Sequence, residues 1–566
     1  MRIQNFRFVG LLYNMSMVLG NVPLLMRNPR LFGLLCACWM AGVVLPLSGG
    51  AVETPAPGWT FTEKERPVFV NGPTNELCVL RNGWGEEICP KRWSATGHLQ
   101  FDPLPPGYYW LSDRVSFCVV RADPCCDANS PYAVDSAFSG CSAPGQYDCP
   151  WYGGDTYRVT AELMGRCGVV HTRERLEWRK IAKSEGQNDF SGYLDRARKL
   201  KVAGVVSTGL FHDVPDWLKR PGRRLPADLA ELWRFMQTAA RLFEPYYDAW
   251  EFWNEPELGF TSEPVWEYAA ALKAYALGAR AGSQSTVILP GALSNIEHFG
   301  YGQALFDSDA AKYVQAFNLH TYVEPKDYAG WRRDTDLFLK EAGISGWQVW
   351  LTESGTALDG NGACLGTRKG MMAHSREQEM VIAEFCPKSW ILHRMSGIFR
   401  AWFFLFGCYN EQGGRRDWGT MRRDGSVKPV HAAMSALTGE LGAARPEGSI
   451  RLVDGVRSFA FMRPDGKRVL AFWSVSNLET SGGVVRVDSQ NERPLRLDGV
   501  SGEFRLVESG GDYILKPVPS DSESRFAADI PANEHLTMQI ASRIFGIETA
   551  ENCCVRFADG EMAYLT

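Results

Sequence analysis

The chain has 566 residues, which is too long for one ordinary domain and excludes a single small binding module. Charged residues make up 22% of the chain and the formal net charge is -5, so the sequence lacks the broad basic field that nucleic-acid-binding proteins use. We therefore expect two or three domains with a large buried core and no nucleic-acid partner.

An apolar run from Leu31 to Leu47 follows two basic residues, Arg27 and Arg30, and precedes the small residues of "SGGA". This order is typical of a signal peptide with its cleavage site. The run is also at the short limit for a membrane span, so a retained anchor, with membrane association, is the alternative. We expect residues 1–52 to be a signal peptide or anchor of an exported protein that is periplasmic, extracellular or held on the outside of the membrane.

Residues 60–130 alternate short apolar runs with turn residues, as in "RVSFCVVRAD", and this pattern predicts a small antiparallel β domain. The region is rich in cysteine, and an even set of cysteines in an oxidising compartment favours disulfides. A zinc site is the alternative, but the region has no pair of CxxC motifs with His partners. The eight cysteines of this set extend beyond residue 130 and are Cys78, Cys89, Cys118, Cys125, Cys126, Cys141, Cys149 and Cys167.

From residue 131 to residue 440 the pattern changes to an apolar strand followed by an amphipathic helix, repeated until eight strands have appeared. Parallel strands need such helical crossovers, and eight of them close naturally into a (β/α)8 TIM barrel of the α/β class. An open doubly wound sheet is the alternative, but no GxGxxG turn supports it. The predicted strands are "YAVDSAF", "VVHTRER", "VVSTGLF", "AWEFWNEP", "TVILPGA", "AFNLHTYV", "WQVWLTES" and "IFRAWFFLFG".

After about residue 445 short strands return, separated by turns such as "PDGK" and "ESGGD". This pattern predicts a C-terminal β-sandwich over residues 446–566. We expect it to be an accessory domain that braces the barrel or holds it to a polymer.

Two glutamates stand at the ends of predicted strands that open into one face of the barrel. Glu255 ends the fourth strand and Glu353 ends the seventh. Because the carboxyl ends of all eight strands meet at the same mouth, both side chains are expected there. One such glutamate could simply cap a helix, but two match what glycosidic bond cleavage needs. One carboxyl group protonates the leaving oxygen, and the other attacks or assists at the anomeric carbon.

The motifs around both glutamates resemble those of a known group of enzymes. "WNEP" at 253–256 and "LTESG" at 351–355 are similar to the acid/base and nucleophile motifs of the clan A glycoside hydrolases, which are retaining (β/α)8 enzymes. The resemblance implies that Glu255 is the acid/base, that Glu353 is the nucleophile and that Asn254 binds the sugar 2-hydroxyl. It covers residues 131–435, where "DGSVKPVHAAMSALTGEL" resembles the run that closes barrels of families 39 and 5, without separating these families.

Other positions agree with the resemblance. In "GVVHTRERLEW" Arg173 matches an arginine that ends strand two, and Trp178 matches a tryptophan that follows it. In "NLHTYV" His320 and Tyr322 stand where similar enzymes have residues that hydrogen-bond the catalytic carboxylates, and Trp402 in "RAWFF" matches a strand-eight sugar platform. Alone, His320, Tyr322 and each tryptophan would more often be packed core residues, and a surface cation is the alternative for Arg173. Together with Asn254 they are the expected substrate-binding residues.

The sequence therefore predicts a retaining hydrolase that cleaves β-type, equatorial bonds in an oligosaccharide or polysaccharide by double displacement, without a cofactor or metal. Apolar surroundings at Glu255 favour the protonated acid that this mechanism needs, while Arg173 and Tyr322 keep Glu353 ionised. A transglycosylase shares the first half-reaction and is not separated by the sequence. A non-catalytic glycan-binding protein is the alternative from another class, although such proteins typically lack one carboxylate. The insert at 359–375 is expected to form one wall of the pocket.

Overall fold

The computed structural model describes residues 52–83, 85–112, 115–124, 127–144, 155–359, 374–411 and 416–449, and short stretches between 456 and 565. The predicted export segment, except for its last residue, and most of the predicted pocket wall lie outside the described residues. In the part of the chain that is described, none of the helices combines the length and apolar character that a membrane crossing requires.

A barrel of eight parallel strands forms the centre of the protein, which confirms the predicted (β/α)8 architecture. When the eight strands are numbered in chain order, they lie side by side in the sheet in the order 5-4-3-2-1-8-7-6. A bridge between Leu293 and Leu319, with a hydrogen bond from the His320 N–H to the Leu293 carbonyl at 2.8 Å, brings strands five and six together. The strands are Tyr132–Asp135, His171–Glu177, Val206–His212, Tyr247–Phe252, Val287–Pro290, Ala316–Thr321, Gln348–Ser354 and Arg400–Phe404.

Helices cover the outside of the barrel, and capping side chains fix where several of them begin. The Asp228 carboxylate accepts hydrogen bonds from the N–H groups of Ala230 and Glu231, and Ser375 with Gln378 forms a capping box. The α-helices are Phe138–Cys141, Thr156–Arg166, Trp178–Ile181, Ser191–Val202, Leu229–Phe243, Val265–Gly282, Phe299–Asp307, Tyr328–Glu341, Arg376–Met395 and Val430–Leu441. Short 3-10 helices are Pro57–Trp59, Asp216–Leu218, Pro256–Leu258, Ile296–His298, Ala310–Tyr313 and Pro325–Asp327.

A five-stranded sheet precedes the barrel and shares its hydrophobic core. Buried Tyr108 of this sheet packs in the same apolar cluster as the barrel helices, and its hydroxyl accepts a hydrogen bond from Arg422 at 2.9 Å. The Arg422 guanidinium in turn pairs with the buried carboxylate of Glu379. These contacts make the sheet part of one compact unit with the barrel. Its strands are Thr60–Thr62, Leu77–Asn82, Glu87–Arg92, Gly107–Ser112 and Val115–Val120.

A second, small unit comprises Glu53, Phe69–Glu76 and Trp93–Leu99 among the described residues. Glu53 and Val70 exchange two backbone hydrogen bonds of 2.8 and 3.0 Å, and the Gly72 N–H bonds the Gly97 carbonyl at 3.0 Å. Backbone hydrogen bonds therefore join the segments of this unit. Two further short strands are Val68–Phe69 and Leu99–Gln100.

The cysteines of the N-terminal half correct one expectation. Cys78, Cys89, Cys118, Cys141 and Cys167 carry free thiols, whereas the other three lie outside the described residues. Three of the five are buried and act as small apolar core residues, and burial raises the pKa of the Cys167 thiol to about 12. The predicted disulfide framework is therefore wrong for these five cysteines.

Beyond the barrel the described residues form only strands. Arg445–Ser449, Val456–Met462 and Arg468–Ser474 build an antiparallel sheet, whose buried Phe459 and Phe461 join the main apolar core. The sandwich over 446–566 stays a prediction, because many of its residues lie outside the described ones. The remaining strands are Asn477–Ser481, Val484–Asp488, Phe504–Ser509, Asp512–Pro517, His535–Leu536, Cys553–Arg556 and Met562–Leu565. Two-residue and three-residue strands elsewhere are Ala182–Ser184, Gln187–Asn188, Leu358–Asp359, Asn410–Glu411 and Arg416–Asp417.

Candidate active site

Glu255 stands on a tight turn directly after the fourth barrel strand. Trp253 and Glu255 both have left-handed backbone conformations, with φ of 71° and 36°. Such conformations are strained for residues other than glycine, and they cluster where structure positions a functional group. Buried Pro256 opens the following 3-10 helix, and the Leu258 N–H bonds the Glu255 carbonyl at 3.0 Å. The turn thus holds Glu255 at the mouth with its side chain 14% exposed.

Glu353, near the end of the seventh strand, is surrounded by donors and cations. Tyr322 donates its phenolic hydrogen to Glu353 Oε2 at 2.8 Å, and Arg173 Nη1 contacts Oε1. Arg175 Nη2 lies 3.5 Å from the same oxygen. Burial raises the pKa of Glu353, but the charges of His320, Arg173 and Arg175 and the Tyr322 hydrogen bond outweigh it and lower that pKa to about 2. Glu353 is therefore a carboxylate at any ordinary pH.

Arg173, on the second strand, is the fully buried cation that organises this layer. Its Nε and Nη2 donate to the two carboxylate oxygens of Glu251 at 2.7 and 2.8 Å, which is a bidentate pair. Nη1 reaches Asp135 at 3.0 Å as well as Glu353, and Nη2 also donates to Asn254 Oδ1 at 2.8 Å. Because Arg173 occupies the Asn254 oxygen, the amide nitrogen of Asn254 is the donor that can turn to a substrate hydroxyl.

His320 connects Glu255 to this layer. Its Nε2 lies 3.1 Å from Thr352 Oγ1, and that hydroxyl lies 3.1 Å from Glu251 Oε1 and 3.0 Å from Asn318 Oδ1. In the protonated ring both nitrogens carry hydrogens, so Nε2 donates to Thr352 and Nδ1 donates to Glu255 Oε1, which is 2.8 Å away. Burial lowers the pKa of His320, but the charges of Glu353 and Glu255 and this hydrogen bond outweigh it and raise the pKa.

The two glutamates and His320 lie close enough for carboxyl and imidazole atoms to be within 4.8 Å of one another. Such a trio could offer three ligand atoms to a divalent cation. However, the Glu255 and Glu353 oxygens are each already hydrogen-bonded, to His320 and Tyr322 respectively. The hydrogen bonds account for the arrangement without an ion.

Two aromatic residues that the sequence assigns to sugar binding are core residues. Trp178 is 2% exposed and stacks on Phe235, with ring centroids 4.6 Å apart. Trp402 is fully buried and stacks on Trp350 inside the barrel at 5.5 Å, below the layer of charged residues. Neither ring can contact a sugar in the mouth, so both expectations are corrected.

The aromatic side chain that does reach the mouth from strand eight is Phe404. Residues two apart on a strand face the same way, so Phe404 lies one layer above Trp402 on the same side. Its ring lies 6.4 Å from that of Tyr322, and Trp418 on the following loop lies 5.0 Å from Tyr322. The Trp418 indole N–H is fixed by Glu411 at 2.9 Å. These rings line the side of the mouth next to Glu353.

Four residues of the site escaped the sequence interpretation: Asp135, Arg175, Glu251 and Thr352. All lie on barrel strands and point inward, and two of them could have been found from the sequence, one by period-two spacing and one by its place at a strand end. Arg175 is two residues beyond Arg173, and Asp135 ends the first strand as Glu353 nearly ends the seventh. Glu251 lies in the middle of an apolar strand, and no local pattern marks its partner, Arg173, 78 residues away.

The fold can be compared with those of solved structures. It is similar to that of a family 39 glycoside hydrolase from the gut symbiont Bacteroides cellulosilyticus WH2, with a TM-score of 0.59, 15% identity, and coverage of 82% of this chain and 97% of that one. The chain has the fold of a family 39 glycoside hydrolase. The predicted resemblance to clan A is therefore confirmed for the fold, whereas activity has to be argued from the site itself.

Two further structures are similar at lower scores. A glucosidase from Croceicoccus marinus has a TM-score of 0.46 and 14% identity, over 70% of this chain and 85% of that one. A monomeric beta-xylosidase from Caulobacter crescentus CB15 has a TM-score of 0.43 and 14% identity, over 65% and 77%. The sequence matches no protein-family model and no curated protein sequence.

Proposed function

We propose that this protein is a retaining β-glycosidase in which Glu353 is the nucleophile and Glu255 the general acid and base. The observation that carries the proposal is the separation of the two carboxyl groups. Their nearest oxygens are within 4.8 Å, close to the roughly 5–5.5 Å typical of retaining enzymes and well short of the roughly 6.5–9.5 Å that inverting enzymes need for a water molecule.

In the first half-reaction the Glu353 carboxylate attacks the anomeric carbon while Glu255 gives its proton to the departing glycosidic oxygen. The low pKa of Glu353 supports the first role, because this group is always ionised. The contact with His320 supports the second, because a protonated imidazole 2.8 Å from Glu255 Oε1 can pass its Nδ1 hydrogen to that oxygen. The products are a leaving-group alcohol and a glycosyl ester on Glu353.

In the second half-reaction Glu255, now a carboxylate, removes a proton from a water molecule that attacks the same anomeric carbon. The Glu353 ester bond breaks, the carboxylate returns, and the sugar leaves with its original configuration. Arg173 and Tyr322 bind the Glu353 carboxylate and so assist its departure from the sugar. Asn254 donates its amide hydrogen to the 2-hydroxyl in this proposal, since its oxygen is held by Arg173.

The test is hydrolysis of aryl β-glycosides and of β-glucan, xylan and mannan oligosaccharides by the wild type, Glu353→Ala and Glu255→Ala. We expect Glu353→Ala to lose roughly 10⁴-fold or more in kcat, and azide to restore turnover through a glycosyl azide of inverted configuration. Glu255→Ala should keep more activity on aryl glycosides, whose good leaving groups need no proton. Product analysis with added sugar acceptors separates hydrolysis from transglycosylation.

Glu324→Ala is the matched control, since Glu324 is an exposed glutamate on the loop after strand six, two residues from Tyr322. It should leave the activity unchanged. If the wild type cleaves nothing but binds a glycan of the panel, the protein is a binding protein and the proposal is wrong. Inverted products from the wild type would also overturn it.

A further inference from the structure

Four large apolar side chains are exposed on the loops that follow the third and fourth barrel strands. Trp217, Leu258, Phe260 and Trp266 are 49%, 51%, 47% and 65% exposed. Aromatic side chains of this size are usually well buried, so a group of them on two neighbouring loops points to contact with a ligand. We call these four residues the apolar rim.

The two loops that carry the rim are held together by specific contacts. The buried carboxylate of Glu263 accepts the N–H groups of Arg224 and Leu225 at 2.7 and 2.8 Å. Arg220, three residues after Trp217, forms an ion pair at 3.5 Å with Glu267, which is one residue after Trp266. The rim residues therefore belong to one connected surface instead of two independent loops.

The rim continues directly from Glu255. Phe260 is five residues along the chain, and its carbonyl accepts the Trp253 indole N–H at 2.8 Å. Thr261 donates to the Pro256 carbonyl at 3.0 Å, so the turn that carries Glu255 also fixes the start of the rim. The rings beside Glu353, by contrast, are those of Phe404 at the end of strand eight and of Tyr322 and Trp418 on the loops after strands six and eight.

This division assigns the two sides of the mouth to different parts of a substrate. The sugar that becomes bound to Glu353 has to lie against the Glu353 side. The group that Glu255 protonates has to leave past Glu255. A surface that starts at the Glu255 turn is therefore next to the leaving group.

We propose that the apolar rim binds the sugar units on the leaving-group side of the scissile bond, so that this enzyme acts on a β-linked polysaccharide or long oligosaccharide in preference to a small glycoside. The inference rests on the function proposed above and extends it from the bond class to the substrate class. Phe260 contacts the units nearest the cleaved bond, Trp217 lies beside them, and Trp266, on the first turn of its helix, contacts units further out.

The experiment measures how the effect of each rim substitution on binding and on kcat/KM depends on the length of the substrate chain. Calorimetric titration of Glu353→Gln with β-linked oligosaccharides of two to six units measures binding without turnover, and kcat/KM of the wild type is measured on the same series and on an aryl β-glycoside. Phe260→Ala and Trp217→Ala, in both backgrounds, should weaken binding and lower kcat/KM for the longer chains about tenfold, with the aryl glycoside unaffected. Trp266→Ala should act only on the longest chains.

Leu277→Ala is the matched control, because Leu277 is 47% exposed on the same helix as Trp266. Leu277 is eleven positions after Trp266, so it lies about 16 Å further along the helix axis and faces almost the same direction. If the rim variants match this control on every chain length, the rim proposal is wrong and the glycosidase proposal stands. The same holds if the wild type gains nothing from added units. If the wild type neither binds nor cleaves any chain, both proposals fail.

Discussion

The two glutamates of the site stand in contrasting surroundings. Glu353 lies near the end of a regular strand and touches two guanidinium groups and a phenol, all of which favour its charged form. Glu255 lies on a strained turn, and its side-chain contact among the described residues is with His320, whose Nδ1 lies 2.8 Å from Oε1. Rigid strands with fixed cations suit a group that must stay ionised, whereas a group that gives and takes a proton needs a partner that also titrates.

The largest expected effect comes from removing the cation that fixes the Glu353 side. Arg173→Gln leaves Glu251 buried without its bidentate charge partner and removes one of the two guanidinium partners of Asp135, which costs about 3–5 kcal/mol of folding free energy. We expect Tm to fall by on the order of 5–10 °C and kcat to fall on the order of 1000-fold. Thermal melting by circular dichroism and aryl glycoside kinetics measure both.

Arg175→Gln is the matched variant on the same face of the same strand. Its side chain is 18% exposed and lies further from Glu353, so both losses should be smaller. Equal losses for the two variants would mean that the buried pairing of Arg173 is not what distinguishes the Glu353 side.

Tyr322→Phe should have the next largest effect, about 100-fold on kcat, because it removes a hydrogen bond to the nucleophile without creating a cavity. This hydrogen bond helps to lower the pKa of Glu353, and the ionised form is the active one. Its loss raises that pKa, so the acid limb of kcat/KM against pH moves to higher pH. Tyr109→Phe, at a phenol bonded to the Pro105 carbonyl far along the chain, is the control and should not move the limb.

The sequence predicts the barrel well because its signal is local. Each strand is an apolar run of a few residues, and all eight predicted runs overlap a barrel strand. The two glutamates are also visible, since strand ends and flanking motifs mark them. These motifs do not show how deep in the barrel a strand residue lies. Trp402 and Phe404 share a face of strand eight. Only the closed barrel shows that Trp402 lies beneath the charged layer and that Phe404 lies at the mouth.

Residues whose roles depend on distant partners were beyond the sequence. Glu251 reads as a polar interruption in "AWEFWNEP" until Arg173 is seen to bind it, and Thr352 is an ordinary strand residue until it is placed between His320 and Glu251. The cysteines failed for a related reason: their number is local, but whether two thiols meet depends on the fold.

The smallest expected effect in rate, about tenfold at the optimal pH, comes from His320→Gln, yet it tests the Glu255 side most directly. In the wild type His320 keeps its proton until pH rises through its raised pKa, so a proton remains available to Glu255, and activity should persist, up to that pH. In the variant only a carboxyl group remains to hold the proton. Because a carboxyl group ordinarily loses its proton at lower pH than an imidazole, the basic limb of kcat/KM should move to lower pH.

Thr352→Val is the companion variant, since it removes the acceptor of His320 Nε2 and keeps the imidazole. It should move the same limb in the same direction by a smaller amount, because the protonated imidazole then loses one hydrogen bond. If the basic limb of kcat/KM stays in place in both variants, the proton on His320 does not control activity. The two glutamates would then differ in position but not in how their protons are held.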